Sequence, residues 1–235
     1  MPKNIVISGG GKGIGKALAL KFAEMGCNVA VCARTQSDLE TLMTEMLQLN
    51  PACNIIVSVT DVRSKVDLKK FADEVIDKWG TVDVLVNNAG TFIPGLVTEE
   101  PDGNLELLME TNLYSAYYLS RYLLSALTAS AKANIFNVTS VAGIKAYPNG
   151  GSYSISKFAM LGLSKALREE LKSNSIAVTS LIPGATLTDS WAGSGLPEDR
   201  FMTVNDVADL VYNISCMSAQ TVVEEVVLRP MLGDI

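Results

Sequence analysis

The run Ser8-Gly9-Gly10-Gly11-Lys12-Gly13-Ile14-Gly15 closes a short apolar stretch at 3–8 and leads into Ala17, Leu18 and Phe22, spaced as one face of an amphipathic helix. Strand, glycine turn and helix in that order make a phosphate cradle. Glycine lets the backbone approach a pyrophosphate closely, and the free amides and dipole of the following helix N-terminus favour its negative charge. A rival reading is the loop of a nucleotide hydrolase, because Gly10 to Lys16 spells GxxxxGK. Ala17, however, stands where that loop needs a Ser or Thr hydroxyl for magnesium. A turn with no ligand is the second rival, and the position of the turn at the first strand–helix junction favours the dinucleotide reading over both.

Outward from this turn, β-branched runs alternate with helical periods to the end of the chain. Strands are predicted at 3–8, 28–33, 54–59, 82–87, 133–139, 176–182 and 221–228, and helices at 13–25, 36–49, 64–79, 104–131, 152–173 and 205–217. This rhythm predicts an α/β, Rossmann-type doubly wound fold: a seven-stranded, mostly parallel sheet with helices on both faces, in a single domain over 1–235. No repeat or Pro/Ser-rich linker interrupts it. The segment 183–203, with Pro183, Gly193, Gly195 and Pro197, lacks periodicity and is expected to be either a lid over the site or a mobile surface loop.

Composition narrows the chemistry. At 235 residues and 48% hydrophobic the chain can fill one full core, and a net charge of −6 gives no basic field for nucleic acid or anionic lipid. No apolar stretch approaches the roughly 20 residues a bilayer requires, and the first strand begins at Lys3, so a cytoplasmic protein is expected. Cys27, Cys32, Cys53 and Cys216 show no CxxC spacing and read as small core residues rather than a metal site or disulfide framework. Histidine is absent, which excludes a Ser-His-Asp hydrolase and leaves Tyr, Lys, Ser, Cys or a carboxylate to do any acid–base work.

Of the seven tyrosines only Tyr153 has a lysine four residues on. That spacing puts Tyr153 and Lys157 on one helix face, where an ammonium favours the phenolate and lowers a pKa that starts near ~10.

Taken together the motifs resemble those of the short-chain dehydrogenase/reductase family, over nearly the whole chain. Ser8-Gly9-x3-Gly13-x-Gly15 is similar to its cofactor turn, with Ser8 for the usual Thr. Asn87-Asn88-Ala89-Gly90 then follows the fourth strand, Ser140 ends the fifth, Tyr153-x3-Lys157 opens the next helix, and Pro183-Gly184-x3-Thr188 follows the sixth. The stretch from Thr221 to Ile235 looks most like sepiapterin-reductase-like members, since the Gly-Gly-containing tail of 3-oxoacyl carrier-protein reductases is missing.

The resemblance implies roles. Tyr153 protonates a carbonyl oxygen, Ser140 hydrogen-bonds that oxygen, Lys157 also holds the nicotinamide ribose, and Asn112 keeps a water linking Lys157 to solvent. Taken alone, Ser140 reads as a strand-end cap, Asn112 as a buried helix amide and Lys157 as a surface charge. The resemblance further implies cofactor contacts from Gly9, Gly13, Ile14 and Gly15, from Asp61 toward the adenine amine, and from Val62, Ala89 and Gly90 along the adenosine. Asn87 is placed in this set but reads better as a brace of the central strand. Pro183 and Gly184 follow, with Thr186 and Thr188 meeting the nicotinamide carboxamide.

Arg34, directly after the second strand, stands where NAD-preferring relatives carry an acid. Its guanidinium fork suits a 2′-phosphate, and Lys12 offers a second cation, so the cofactor expected is NADP(H). The alternative is that both are solvated surface charges. Phe92, Ile93, Ile144, Tyr147 and Trp191 sit in loops after strands four to six, where such sheets bind ligands, and make an apolar wall for a small carbonyl substrate. They read equally as core or interface packing. The family further implies a homodimer or homotetramer through the helices at 104–131 and 152–173. Three functions fit: an NADPH-dependent carbonyl reductase, an epimerase or dehydratase (which usually carries an extra domain), and a catalytically silent NADP-binding regulator, which commonly loses part of the Tyr-Lys-Ser set retained here. Arg34→Asp is expected to weaken NADPH strongly while sparing or improving NADH in a binding titration; equal loss of both would contradict the 2′-phosphate assignment.

Overall fold

The computed structural model describes residues 2–191 and 193–235. Seven strands form one sheet: β1 (Asn4–Ser8), β2 (Asn28–Ala33), β3 (Ile55–Val59), β4 (Val84–Asn87), β5 (Ala133–Val138), β6 (Ile176–Pro183) and β7 (Glu225–Leu228). Their order is β3-β2-β1-β4-β5-β6-β7. All six pairings are parallel, so the predicted mostly parallel sheet is wholly parallel.

The helices are α1 (Gly13–Glu24), α2 (Gln36–Leu49), α3 (Lys65–Trp79), α4 (Asn104–Met109), α5 (Ser115–Tyr122), α6 (Leu124–Thr128), α7 (Gly151–Leu171) and α8 (Val204–Ser215). Strand alternation sends Ile5 and Ile7 of β1 toward α1, α2 and α8, and Val6 toward α3, α5 and α6. Each face thus acquires its own core, anchored by fully buried Phe22 and Leu18 on one side and by Phe71 and Leu119 on the other. Side chains of that size each contribute roughly 1.5–3 kcal/mol by leaving water.

The central strands are buried on both faces, which is why β1, β4 and β5 read as unbroken buried runs. Three of the asparagine and serine groups that enter this layer are linked to Asn87 in a chain of hydrogen bonds. Asn87 Nδ2 donates to Asn137 Oδ1 at 2.8 Å and to Ser120 Oγ at 3.0 Å, and Asn137 Nδ2 donates to Ser164 Oγ at 2.9 Å. This relay ties α5, β4, β5 and α7 together and fixes which strand faces which helix.

Three sequence expectations shift. The predicted strand 221–228 pairs only over Glu225–Leu228, because β6 offers partners to β7 only from Ser180 onward, and Val223 instead packs against the core. The predicted helix 104–131 is broken. A π-type turn at Glu110–Tyr114 separates α4 from α5, and Leu123, at φ −91° and ψ 1°, separates α5 from α6. The segment 183–203 is neither periodic nor structureless. Leu187 N donates to Met202 O at 2.9 Å and Met202 N to Ala185 O at 3.0 Å, pinning its two ends together, and Trp191 packs on Phe201 with ring centroids 5.1 Å apart. Of this segment, Ala192 lies outside the described residues. Among the cysteines, Cys27, Cys32 and Cys53 are buried as expected, whereas Cys216 at the end of α8 is exposed. Among the described residues no helix is long and apolar enough to cross a membrane.

Candidate active site

The chain runs outward from β1 to β3, then crosses to β4 on the other side of β1 and continues to β7. Where the direction reverses, the helices that follow β1 and β4 lie on opposite faces of the sheet, and a crevice is left at the carboxyl ends of the strands. That crevice is a cleft of about 1070 Å³.

Its floor is held by Ser8 and Asn88. Ser8 Oγ accepts from the amides of Asn88 and Ala89, both at 3.1 Å, and Asn88 Nδ2 donates back to the carbonyls of Ser8 at 3.1 Å and Gly9 at 2.9 Å. The two loops are stitched so tightly that a Cβ on Gly15 would lie 2.4 Å from Gly9 O and 2.5 Å from Asn88 Nδ2. Gly9, at φ +66°, faces Ala89 Cα in the same way, with 2.7 Å to a would-be Cβ. Both positions require glycine. Gly9, Lys12, Gly13 and Ile14 line the cleft, while Gly15 lies beneath the turn and acts through packing.

One end of the cleft is charged. Arg34, Asp61, Val62 and Lys12 line it as expected, joined by Arg63 and Asp38, which sequence reasoning missed. Arg63 forks onto Asp61, with its terminal nitrogen 2.7 Å from Oδ2, and this partner holds the Asp61 carboxyl below its ordinary range. The carboxylate expected to meet an adenine amine is therefore already engaged. Lys12 is shared, its Nζ lying 3.8 Å from Asp38 and 3.7 Å from Asp189. Among the described residues Arg34 makes no ion pair within 4.0 Å. Neither Arg63 nor Asp38 belongs to a recognisable motif; Arg63 could have been found only by its position two residues after Asp61.

The other end holds the reactive set. Ser140 caps the short turn after β5, its Oγ accepting from Ala142 N at 3.1 Å, so its own proton remains free to be donated. Tyr153 stands beside it on the first turn of α7, its ring edge-on to Phe92 at 4.9 Å. Lys157, buried one turn further, has its Nζ 5.7 Å from the Tyr153 ring centre and donates to Val138 O at 3.0 Å. The i, i+4 spacing thus brings the pair together. The expected lowering of the Tyr153 pKa does not follow, however. Burial pushes the phenol up to about 12, with Ser140 pulling part of the way back, and burial takes Lys157 down to about 8. Desolvation outweighs charge proximity at this site.

Asn112 lies on the π turn, behind the cleft wall. Its Oδ1 accepts from Thr91 N at 2.8 Å, and its Nδ2 donates to Thr91 O at 3.0 Å and Ser156 Oγ at 2.9 Å. The extra residue of the wide turn aims this amide at the loop after β4, a common use of such turns. Ala89, Gly90, Pro183, Gly184, Thr186 and Thr188 line the cleft, and the Thr186 hydroxyl donates to Gly184 O at 3.1 Å. Asn87 does not reach it: both its amide hydrogen bonds go to Ser120 and Asn137, as a brace of the central strands. Of the proposed substrate wall, Phe92, Ile93, Tyr147 and Trp191 line the cleft. Ile144 does not; it ends the turn that Ser140 caps and is 38% exposed. Lys145 and Asp234 also reach the cleft, and no motif marks either.

A glycine cradle at the switch point and a serine, tyrosine and lysine in the same cleft are the features of a dinucleotide-binding redox enzyme. Residues 3–198 match the short chain dehydrogenase family. Among curated relatives, sepiapterin reductase of Chlorobaculum tepidum is 31% identical over 98% of this chain and 97% of its own. The 3-oxoacyl-[acyl-carrier-protein] reductase of Thermotoga maritima is 27% identical over 96% and 95%. Among solved structures, an alcohol dehydrogenase from the archaeon Thermococcus sibiricus, complexed with 5-hydroxy-NADP, superposes with a TM-score of 0.90 at 26% identity, covering 98% of this chain and 97% of that one. The chain belongs to the short-chain dehydrogenase family.

The buried Lys157 carries a stability cost with a definite sign. With a folded pKa near 8 against 10.5, the folded state sheds its proton first, so stability rises with pH between those values and the cost is fully present below about 8. Lys157→Met is expected to be more stable than the wild type at pH 7 by roughly 2 kcal/mol, net of the lost bond to Val138. Because the full charge cost is about 3.4 kcal/mol, the gain should vanish at about pH 9.5 and reverse by about pH 10.5 in urea unfolding, leaving the variant short of the bond to Val138. A difference independent of pH, or a variant less stable at pH 7, would show that Lys157 is not held under this constraint.

Proposed function

We propose that the protein is an NADPH-dependent reductase of a ketone or aldehyde. The observation that carries this reading is the convergence of the glycine cradle and the Ser140, Tyr153 and Lys157 set in one cleft. The cofactor fits the residues present. Gly9 and Gly13 line the cleft where the backbone must come close to a pyrophosphate, Gly15 beneath them lets the turn pack on Asn88, and Arg34 offers its guanidinium at the adenosine end. Two relatives of known structure at 26% identity, the Thermococcus sibiricus alcohol dehydrogenase and a metagenomic short-chain oxidoreductase, were solved with 5-hydroxy-NADP and NADP respectively, which supports the same choice.

Bound in the cleft, NADPH supplies a hydride to the carbonyl carbon. The chain's own residues handle the oxygen. With a pKa near 12 the Tyr153 phenol keeps its proton at neutral pH and gives it to the oxygen as the carbonyl π pair moves there. Ser140, whose acceptor side is taken by Ala142 N, donates its hydroxyl hydrogen to the same oxygen. Lys157, near 8, is mostly charged at pH 7; it stabilises the tyrosinate left behind and can return a proton to it. With the cofactor bound, Lys157 would also hold its nicotinamide ribose. Phe92 packs edge-to-face with Tyr153 and helps to seat its ring. The wall of Phe92, Ile93, Tyr147 and Trp191 suits a small hydrophobic or flat carbonyl compound.

The active form we propose is a homodimer or homotetramer through α5 and α7. Tyr117 on α5 and Ile155 and Phe158 on α7 are each at least 40% exposed, and so large an apolar face gains from cover by a second copy.

The reading is tested by following nicotinamide absorbance with NADPH and a panel containing a pterin, diketones, 3-oxoacyl thioesters and aromatic aldehydes. Turnover of at least one compound is expected, and Tyr153→Phe should lose about 10²–10⁴-fold in kcat/KM while NADPH affinity stays within a few-fold. NADPH binding with full turnover in Tyr153→Phe would overturn the assignment of the acid. NADPH binding with no turnover of any compound would favour the regulatory reading.

A further inference from the structure

Helix α7 carries Tyr153 as its third residue, yet its own sequence does little to hold its first turn. The N-cap is Gly150, which makes no side-chain capping bond, and no acidic residue lies in the first turn. The free amides and positive dipole end of a 21-residue helix therefore lack the usual local partner. The partner comes from elsewhere. Glu100, on the loop between β4 and α4, brings its carboxylate to this end, where Oε1 accepts a hydrogen bond from the Ser152 hydroxyl. Among the described residues Glu100 Oε2 has no hydrogen-bond partner; it is buried there, 3.3 Å from where a Cβ on Gly151 would be. A carboxylate oxygen buried in this way is costly unless a favourable field offsets it, and the α7 dipole supplies one.

The surrounding backbone is built to admit this carboxylate. Gly95 pairs with Gly150 in an isolated bridge, Gly95 N donates to Asn149 O at 3.0 Å, and Glu100 N donates to Leu96 O at 2.8 Å. Gly151, at φ +32°, has no room for a side chain, since its Cβ would lie 2.5 Å from Gly95 O. Asn149 sits at φ +58°, a left-handed conformation that asparagine adopts more readily than other non-glycine residues and that turns the chain into α7 here. The loop bearing Phe92 and Ile93 and the loop bearing Tyr147 are thus joined to each other and to the turn bearing Tyr153 at a single junction.

We infer that Glu100 is a positioning residue: supplied across space, its carboxylate caps α7 and fixes the Tyr153 hydroxyl relative to the two loops that hold the substrate. The inference rests on the reductase reading above. It is tested on Glu100→Ala, Glu100→Gln and Ser152→Ala, with the best compound of the panel. Glu100→Ala is expected to lower kcat by about tenfold or more, leave the NADPH Kd within about twofold, and raise the solvent deuterium isotope effect on kcat, because proton transfer from a misplaced Tyr153 becomes limiting. Glu100→Gln keeps an oxygen for Ser152 but loses the charge that faces the α7 dipole, and should recover only part of kcat. If Glu100→Ala does not fold, Ser152→Ala carries the test, with a smaller fall in kcat and the same isotope signature. Wild-type kcat and isotope effect in the folded variants would overturn the inference. So would a loss of kcat matched by an equal loss of NADPH affinity, which would indicate general damage. The wild type and Tyr153→Phe in the same assay separate this failure from that of the reductase reading, which falls if the wild type turns over no compound.

Discussion

The exchange of hydrogen bonds between Ser8 and the loop after β4 is the constraint on which the rest of the molecule depends. Ser8 Oγ takes the amides of Asn88 and Ala89, and Asn88 returns its side-chain amide to the carbonyls of Ser8 and Gly9. Because β1 and β4 flank the point where the sheet changes direction, binding their loops to each other sets the width of the crevice between them. The glycines follow from that closeness. Gly9 and Gly15 face backbone at distances no side chain tolerates, so the phosphate cradle is a result of the packing of two loops and not of one motif alone.

At the far end of the cleft, the same burial that costs stability prepares the chemistry. Lys157 is taken below its ordinary pKa and Tyr153 above it, each by desolvation. A phenol that holds its proton and an ammonium poised near neutrality suit proton donation toward a carbonyl oxygen, and their surroundings are rigid. Ser140 is fixed by its bond to Ala142, the Asn112 amide grips Thr91 through both of its atoms, and Phe92 seats the tyrosine ring. Sites of this kind retain a locally unfavourable arrangement because the surrounding fold over-determines it.

Much of this was legible in the chain. Periodicity located every strand and the principal helices, and the i, i+4 spacing of Tyr153 and Lys157 placed the two side chains together. What stayed hidden depends on contacts between segments far apart in sequence. Asn88 looked like one letter of a motif, and its role appears only when the loop after β4 lies against the glycine turn. The wide turn at Glu110–Tyr114 carries no local signal, being held in part by Asn112 reaching back to Thr91. The pKa of Tyr153 moved opposite to expectation because spacing reports the nearby charge but not the depth of burial. Ile144 was assigned to the cleft by loop membership, yet its turn leaves it 38% exposed outside the wall. Arg63 and Glu100 act through partners that only the folded chain brings near them.

The most direct test of the central claim, that two stitched loops create a dinucleotide site, is an NADPH titration of the wild type and of Gly15→Ala, followed by energy transfer from tryptophan to nicotinamide. The wild type is predicted to bind. Gly15→Ala, whose new methyl group must displace Gly9 O and Asn88, is predicted to bind at least roughly a hundredfold more weakly, about 2.8 kcal/mol, while keeping the circular dichroism of the wild type. Equal affinity in the two proteins, or no binding by the wild type, would contradict the account.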